Sequence, residues 1–147
     1  MLQWSCKSFH ELSTDELYKI IQLRSSVFVV EQNCIYQDCD DKDQQSFHLM
    51  GWQNDALVAY ARLLPAGLAF PSPSIGRVVT ATSTRKIGYG RELMSLAIEK
   101  IRLLYGDNII IIGAQVYLKS FYASFGFECS GDIYLEDGIE HIKMICG

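Results

Sequence analysis

Proline is scarce in this chain: there are three in 147 residues, and all three fall between residues 65 and 73. Proline fixes φ and removes a backbone donor, so the segment PAGLAFPSPS, residues 65–74, reads as an irregular connection. The rest of the chain is left free for helices and strands. Long hydrophobic runs are lacking too. The longest strongly apolar stretch, Ile109 to Ile112, is far below the ~20 residues needed to cross a bilayer. The N-terminus, MLQWSCKSFH, turns polar too early to be a secretory signal. No block of Lys or Arg is present and the net charge is -4, which argues against nucleic acid and anionic membranes as partners. The five cysteines, Cys6, Cys34, Cys39, Cys129 and Cys146, form no C-x-x-C pair. They read as reduced thiols rather than as a zinc or redox motif. These absences leave a cytoplasmic protein as the expectation.

With 49% apolar and 20% charged residues, the chain suits one domain over residues 1–147 with a real core. Residues 2–7 read as a first strand. Ser13 with Glu16 three residues on forms a capping-box signal. The helix it starts carries Leu17, Ile20, Ile21, Val27 and Phe28 on one face, interrupted by Arg24, and ends near residues 30–32. Residues 33–44 read as a polar, acidic loop. SFHLMGWQ and ALVAYARLL, separated by Asn54-Asp55, predict a hairpin. A strand follows at Ile75–Ala81, then a helix with Leu93, Ala97, Ile98, Ile101 and Leu104 inward, ending at Gly106. Ile109–Gly113 reads as a buried strand, Val116–Phe125 as a short helix closed by Gly126, and the tail as a hairpin turning at Glu136-Asp137-Gly138. The order β-α-β-β-β-α-β-α-β-β implies a mixed α/β sheet covered by helices.

RKIGYG, residues 85–90, lies where a strand hands over to a helix. It lacks the Gly-Lys-Ser/Thr end of a P-loop and the third glycine of a dinucleotide fingerprint. What remains is R-x-x-G-x-G entering a helix: Arg85, Gly88 and Gly90, with Lys86 and Arg91 beside them. Orphan amides and the helix dipole make such a terminus a pyrophosphate site, and the glycines let a ligand approach the backbone. Alone, the stretch also fits a turn with no ligand. The acidic run DCDDKD, residues 38–43, lacks the glycine and the final glutamate of a calcium loop, so no metal is expected. It reads as a solvated loop, or as an electrostatic lip for a cationic amine.

R-x-x-G-x-G after a strand resembles the acyl-CoA pyrophosphate loop of the GCN5-related N-acetyltransferases (GNAT superfamily). AQVYLKSFYASFGF, residues 114–127, resembles that family's second signature. LYKIIQLRSSVFVVEQNC, the GW-QND-LVAYARLL hairpin, IGRVV and the terminal YLEDG-I-HI-M extend the likeness, over essentially the whole chain, to the ElaA-type branch. The resemblance implies a single-domain GNAT-like fold with a mixed, mostly antiparallel central sheet and helices on both faces. It also implies an acetyl-CoA-dependent N-acetyltransferase acting by direct transfer to a primary amine.

On that resemblance, backbone groups of Val78, Val79 and Thr80 hold the pantetheine arm. Arg85, Lys86, Ile87, Gly88, Tyr89 and Gly90 hold the pyrophosphate. Tyr122 falls where a family tyrosine protonates the departing sulfur; without the resemblance it reads as a packing residue. Glu31, Asp41, His48, Glu136 and His141 are candidates for the base, with His141 and Glu136 ahead because the EDG-I-H tail is matched. Two departures stand out: Lys86 sits where glycine is common, and Gln115 where asparagine often begins the second signature. The amine is left open among small molecules, aminoglycoside-like compounds, peptide N-termini and lysine side chains. The tail strands could pair two copies in a homodimer. A CoA-binding or sensing module without turnover is the alternative.

Overall fold

Ser13 opens the first helix as its spacing to Glu16 predicts. The Glu16 amide donates to Ser13 Oγ at 3.0 Å and the Ser13 amide donates to Glu16 Oε1 at 2.8 Å, satisfying two otherwise orphan donors. The computed structural model describes all residues, 1–147. Its elements are β1 (Gln3–Ser8), α1 (Thr14–Arg24), β2 (Phe47–Gln53), β3 (Ala56–Leu64), β4 (Ser74–Thr80), α2 (Tyr89–Tyr105), β5 (Ile110–Gln115), α3 (Lys119–Ala123), β6 (Glu128–Glu136) and β7 (Ile139–Cys146). The order matches the sequence reading. The α1 helix runs on through Ser25–Glu31 with π-type bonds, the Gln32 amide reaching Val27 O and the Cys34 amide reaching Val29 O. The helix expected at Val116–Phe125 is a 3-10 turn followed by α3.

The seven strands form one sheet in the order β1-β2-β3-β4-β5-β7-β6, in which only β4 and β5 are parallel. Alternating side chains feed two cores. Ile20, Leu23 and Val27 of the first helix pack on Met50, Leu57, Tyr60 and Val79. On the opposite face Leu93, Met94, Ala97 and Ile101 of α2 pack on Leu49, Leu63, Ile110 and Ile112. Helices therefore cover both faces. β6 is an edge strand, with Leu135 71% exposed. No helix is long and apolar enough to cross a membrane.

Arg24 lies on the inward face of the helix, where its spacing puts it, and is 1% exposed. One expectation needs correcting: the acidic run is not a solvated loop, because Asp38 and Asp43 are buried. Arg24 donates Nε to Asp38 Oδ2 and Nη1 to Asp43 Oδ1, both at 2.7 Å. Arg62 of β3 grips Asp40 with two nitrogens at 2.8 and 2.9 Å and reaches Asp43 at 3.0 Å. Arg77 of β4 approaches Asp38 Oδ1 at 2.9 Å and Asp40 Oδ2 at 3.2 Å. Three arginines from three elements thus neutralise three aspartates. Of the three intervening residues, Cys39 and Asp41 face solvent and Lys42 is half-buried. The physical reason for the error is that composition shows charge but not its partner, and these partners lie 14 to 39 residues away.

Burial opposes charge on Asp40 and Asp43, yet hydrogen bonds and the fields of the arginines prevail, and both pKa values fall below the ordinary aspartate value. A carboxylate with a depressed folded pKa contributes stability above its unfolded pKa and loses it as pH falls. Unfolding free energy should therefore decline as pH drops below about 4. Arg24→Met should remove about 3–5 kcal/mol in urea titrations at pH 7, since it takes one cation from each of two buried carboxylates and leaves Asp38 to Arg77 and Asp43 to Arg62. A loss within 1 kcal/mol would show that the lattice carries little.

Candidate active site

The parallel strands β4 and β5 meet at one register position, Ser74 opposite Ile111, and then diverge. A bulge bends β4 there: two residues, Arg77 and Val78, stand against Ala61 alone, and Arg77 has φ 50°. Such a bulge sharpens strand twist and ends regular pairing. The opening between the strands is a cavity of about 1080 Å³, large enough for a cofactor-sized ligand.

Backbone alternation decides which groups face it. The Ala81 amide donates to Val58 O on β3, so by period two the peptide groups of Val79 also turn to β3, leaving those of Val78 and Thr80 toward the cleft. Val79 is buried, and its side chain belongs to the α1 core.

At the end of β4 the chain enters RKIGYG. Gly88 is the residue before α2 and takes φ 97°, and Lys86 is also left-handed at φ 73°. Lys86 therefore holds a conformation that suits glycine, which explains why glycine is common there. The amides from Lys86 to Arg91 donate to no acceptor within the protein. They form a run of orphan donors at the positive end of a 17-residue helix. A Cβ built on Gly88 meets nothing within 4 Å, and one on Gly90 approaches only Phe121, at 3.9 Å. The cavity wall includes Lys86, Gly88, Tyr89 and Gly90, whereas Ile87 is exposed outside it. Arg85 also borders the cavity, but its guanidinium is engaged: Nη1 pairs with Glu31 Oε2 at 2.6 Å. Arg91 stacks on Phe125 at 4.7 Å.

Tyr122 of α3 is 7% exposed and lies on the same cavity. Burial pushes its pKa up to about 12. Opposite, the β6–β7 hairpin brings His141 and Glu136 together, with Nε2 3.5 Å from Glu136 Oε2. His141 Nδ1 lies 2.8 Å from Ile139 O. A carbonyl can only accept, so Nδ1 carries a proton, and Nε2 is the nitrogen left facing Glu136.

The remaining base candidates separate from this pair. His48 is fully buried, with Nε2 donating to Asp43 O and Nδ1 accepting from Tyr60, so both nitrogens are used. Asp41 is exposed off the cavity. Glu31 is held by Arg85 and Thr82. The sequence reading missed Cys34, whose buried thiol borders the cavity and donates to Asp137 O at 3.2 Å, and Tyr134, which stacks on His141. No group of three His, Cys, Asp or Glu is placed to hold a metal ion.

A sheet opened between its parallel strands, with an orphan-amide loop at the mouth, defines an acyltransferase-type fold, and the comparisons agree. The chain belongs to the acetyltransferase (GNAT) family, whose domain model matches residues 11–147. It is 44% identical over 146 residues to protein ElaA of Escherichia coli K12, covering 98% of this chain and 95% of that protein. It is 43% identical over 145 residues to a UPF0039 protein of Schizosaccharomyces pombe, covering 97% and 95%. Among solved structures, an acyl-CoA N-acyltransferase from Pseudomonas aeruginosa superposes with a TM-score of 0.95 at 40% identity. Escherichia coli ElaA does so at 0.94 and 42%, each over 100% of both chains. A Bacillus subtilis acetyltransferase in complex with CoA shares the fold, at 22% identity and a TM-score of 0.68, over 99% of this chain and 98% of that one.

Proposed function

We propose that this protein transfers an acetyl group from acetyl-CoA directly to a primary amine within a ternary complex. The observation that carries the reading is the convergence of three features on one cavity: the orphan amides at Lys86–Arg91, the Tyr122 hydroxyl, and the His141–Glu136 pair. The CoA in the Bacillus subtilis protein of the same fold supports the choice of donor.

In this reading the pyrophosphate takes the amides of the glycine loop, and Lys86 adds charge at its rim. The pantetheine arm lies along β4, bonded by Val78 and Thr80. An amide there also polarises the thioester carbonyl, where one donor is worth about 3 kcal/mol of barrier. The neutral amine attacks the carbonyl carbon, its proton passes to His141 Nε2, and Glu136 stabilises the imidazolium. The C–S bond then breaks and the sulfur leaves with the electron pair.

Burial refines the role of Tyr122. A phenol at about 12 is a much weaker acid than a thiol at about 8.5. Full proton transfer to a formed thiolate is uphill, so Tyr122 donates a hydrogen bond to the sulfur as its charge grows. The proton removed from the amine reaches the thiolate by way of His141 and solvent. A cytoplasmic location and a homodimer paired along the β6 edge belong to the same reading.

A panel of amines mixed with acetyl-CoA, followed by release of free thiol, tests the proposal. It expects amine-dependent thiol release; CoA binding without release from any amine would leave a sensing module instead. Tyr122→Phe should lower kcat about 10- to 100-fold, the worth of a hydrogen bond to a charged group, with CoA affinity nearly intact. Because Tyr122 stays protonated to about pH 12, any alkaline limb below pH 10 should persist in that variant. Gly88→Val fills open space in the loop and should weaken CoA binding at least about tenfold, beyond the about 1–2 kcal/mol of strain from its left-handed backbone. Undiminished CoA affinity would contradict the cradle.

A further inference from the structure

Tyr134 stands opposite His141 in the β6–β7 ladder. Its ring stacks on the imidazole, with centroids 5.8 Å apart and planes at 27°. The sheet order is β5-β7-β6, and the Tyr134 side chain crosses β7 to end over β5. There, a Cβ added to Gly113 would fall 2.7 Å from the Tyr134 hydroxyl oxygen. Real side chains do not approach that closely, so one of the two would have to move. The next neighbour of that added carbon, Phe70, lies at an ordinary 3.8 Å. Tyr134 is therefore the group an added side chain would displace.

His141 is anchored on its own strand only through Nδ1 to Ile139 O, and its contact with Glu136 is long at 3.5 Å. One hydrogen bond leaves the ring free to pivot about it, and a stacked aromatic face removes that freedom. Nothing else in the proposed mechanism uses Tyr134.

We propose that Tyr134 is the positioning residue that holds the His141 imidazole with Nε2 toward the cavity. Gly113 is glycine because the Tyr134 hydroxyl occupies the place of its side chain. The inference rests on the reading of His141 as proton acceptor, but its structural half can be measured separately.

The test combines the Hε1 NMR resonance of His141 with kcat for acetyl-CoA and the most active amine of the panel. Tyr134→Ala and Gly113→Ala should each move the resonance and lower kcat by about 10- to 100-fold, as expected when a catalytic group is misplaced. KM for acetyl-CoA should not change. Tyr134→Phe keeps the ring and should leave both readings near wild type. The double variant Gly113→Ala/Tyr134→Phe should recover what Gly113→Ala loses, since the clash is with the oxygen. A resonance unmoved in folded Tyr134→Ala, or a double variant no better than Gly113→Ala, would overturn the proposal. Undiminished turnover in His141→Gln would remove the base reading while leaving the resonance to decide the positioning.

Discussion

β4 and β5 run parallel yet pair at a single position, Ser74 opposite Ile111, and the molecule is organised around that divergence. An unbroken ladder would have consumed the backbone groups of Val78 and Thr80 and closed the cavity. The bulge at Arg77 turns the strand away, and the peptide groups it frees face a cleft walled by protein rather than bulk water. Val78 and Thr80 are half-buried, and Thr80 O accepts from Arg85 Nη2 at 3.4 Å; the amides left without a partner in the protein are open to a ligand that supplies acceptors. The glycine loop at the end of β4 extends the same unpaired edge into the first turn of α2.

Holding that opening in place falls largely to charge. The lattice of Arg24, Arg62 and Arg77 with Asp38, Asp40 and Asp43 ties α1, β3 and β4 to the loop that follows the π-helical turn. Arg77, the residue at the bulge, is itself a member, so the strand is pinned where it bends. The lattice is neutral as a whole. The acidic loop therefore contributes little field of its own to the cavity, whereas Glu136 and Asp137 on the far wall have no basic ion-pair partner apart from His141.

Much of this was legible from local pattern. The capping box at Ser13, the β-branched run at Ile110–Ile112 and the glycines at 106, 126 and 138 each encode a boundary by short-range chemistry, and the element order followed. The glycine loop was readable because orphan amides at a helix start depend on sequence neighbours alone. The ion lattice was not, since Arg24 finds Asp38 and Asp43 only after the chain folds. A buried and a solvated aspartate look alike in sequence. The stack of Tyr134 on His141 was hidden for a related reason: it depends on the β6–β7 register, which shifts between Ser130 and Tyr134. A shift of that kind leaves no composition signal. His141 and Glu136 could be ranked ahead of His48 only through the matched tail, whereas the structure separates them by burial and by used nitrogens.

The central claim is that the edge freed by the divergence of β4 and β5 receives the CoA donor. Amide chemical shifts in a titration with CoA test it most directly. The account predicts saturable shifts at Lys86 to Gly90 and at Val78 and Thr80, with Val79 and the Asp38–Asp43 loop little changed. Saturable binding whose shifts spare the glycine loop and β4, or no response at millimolar CoA, would contradict it.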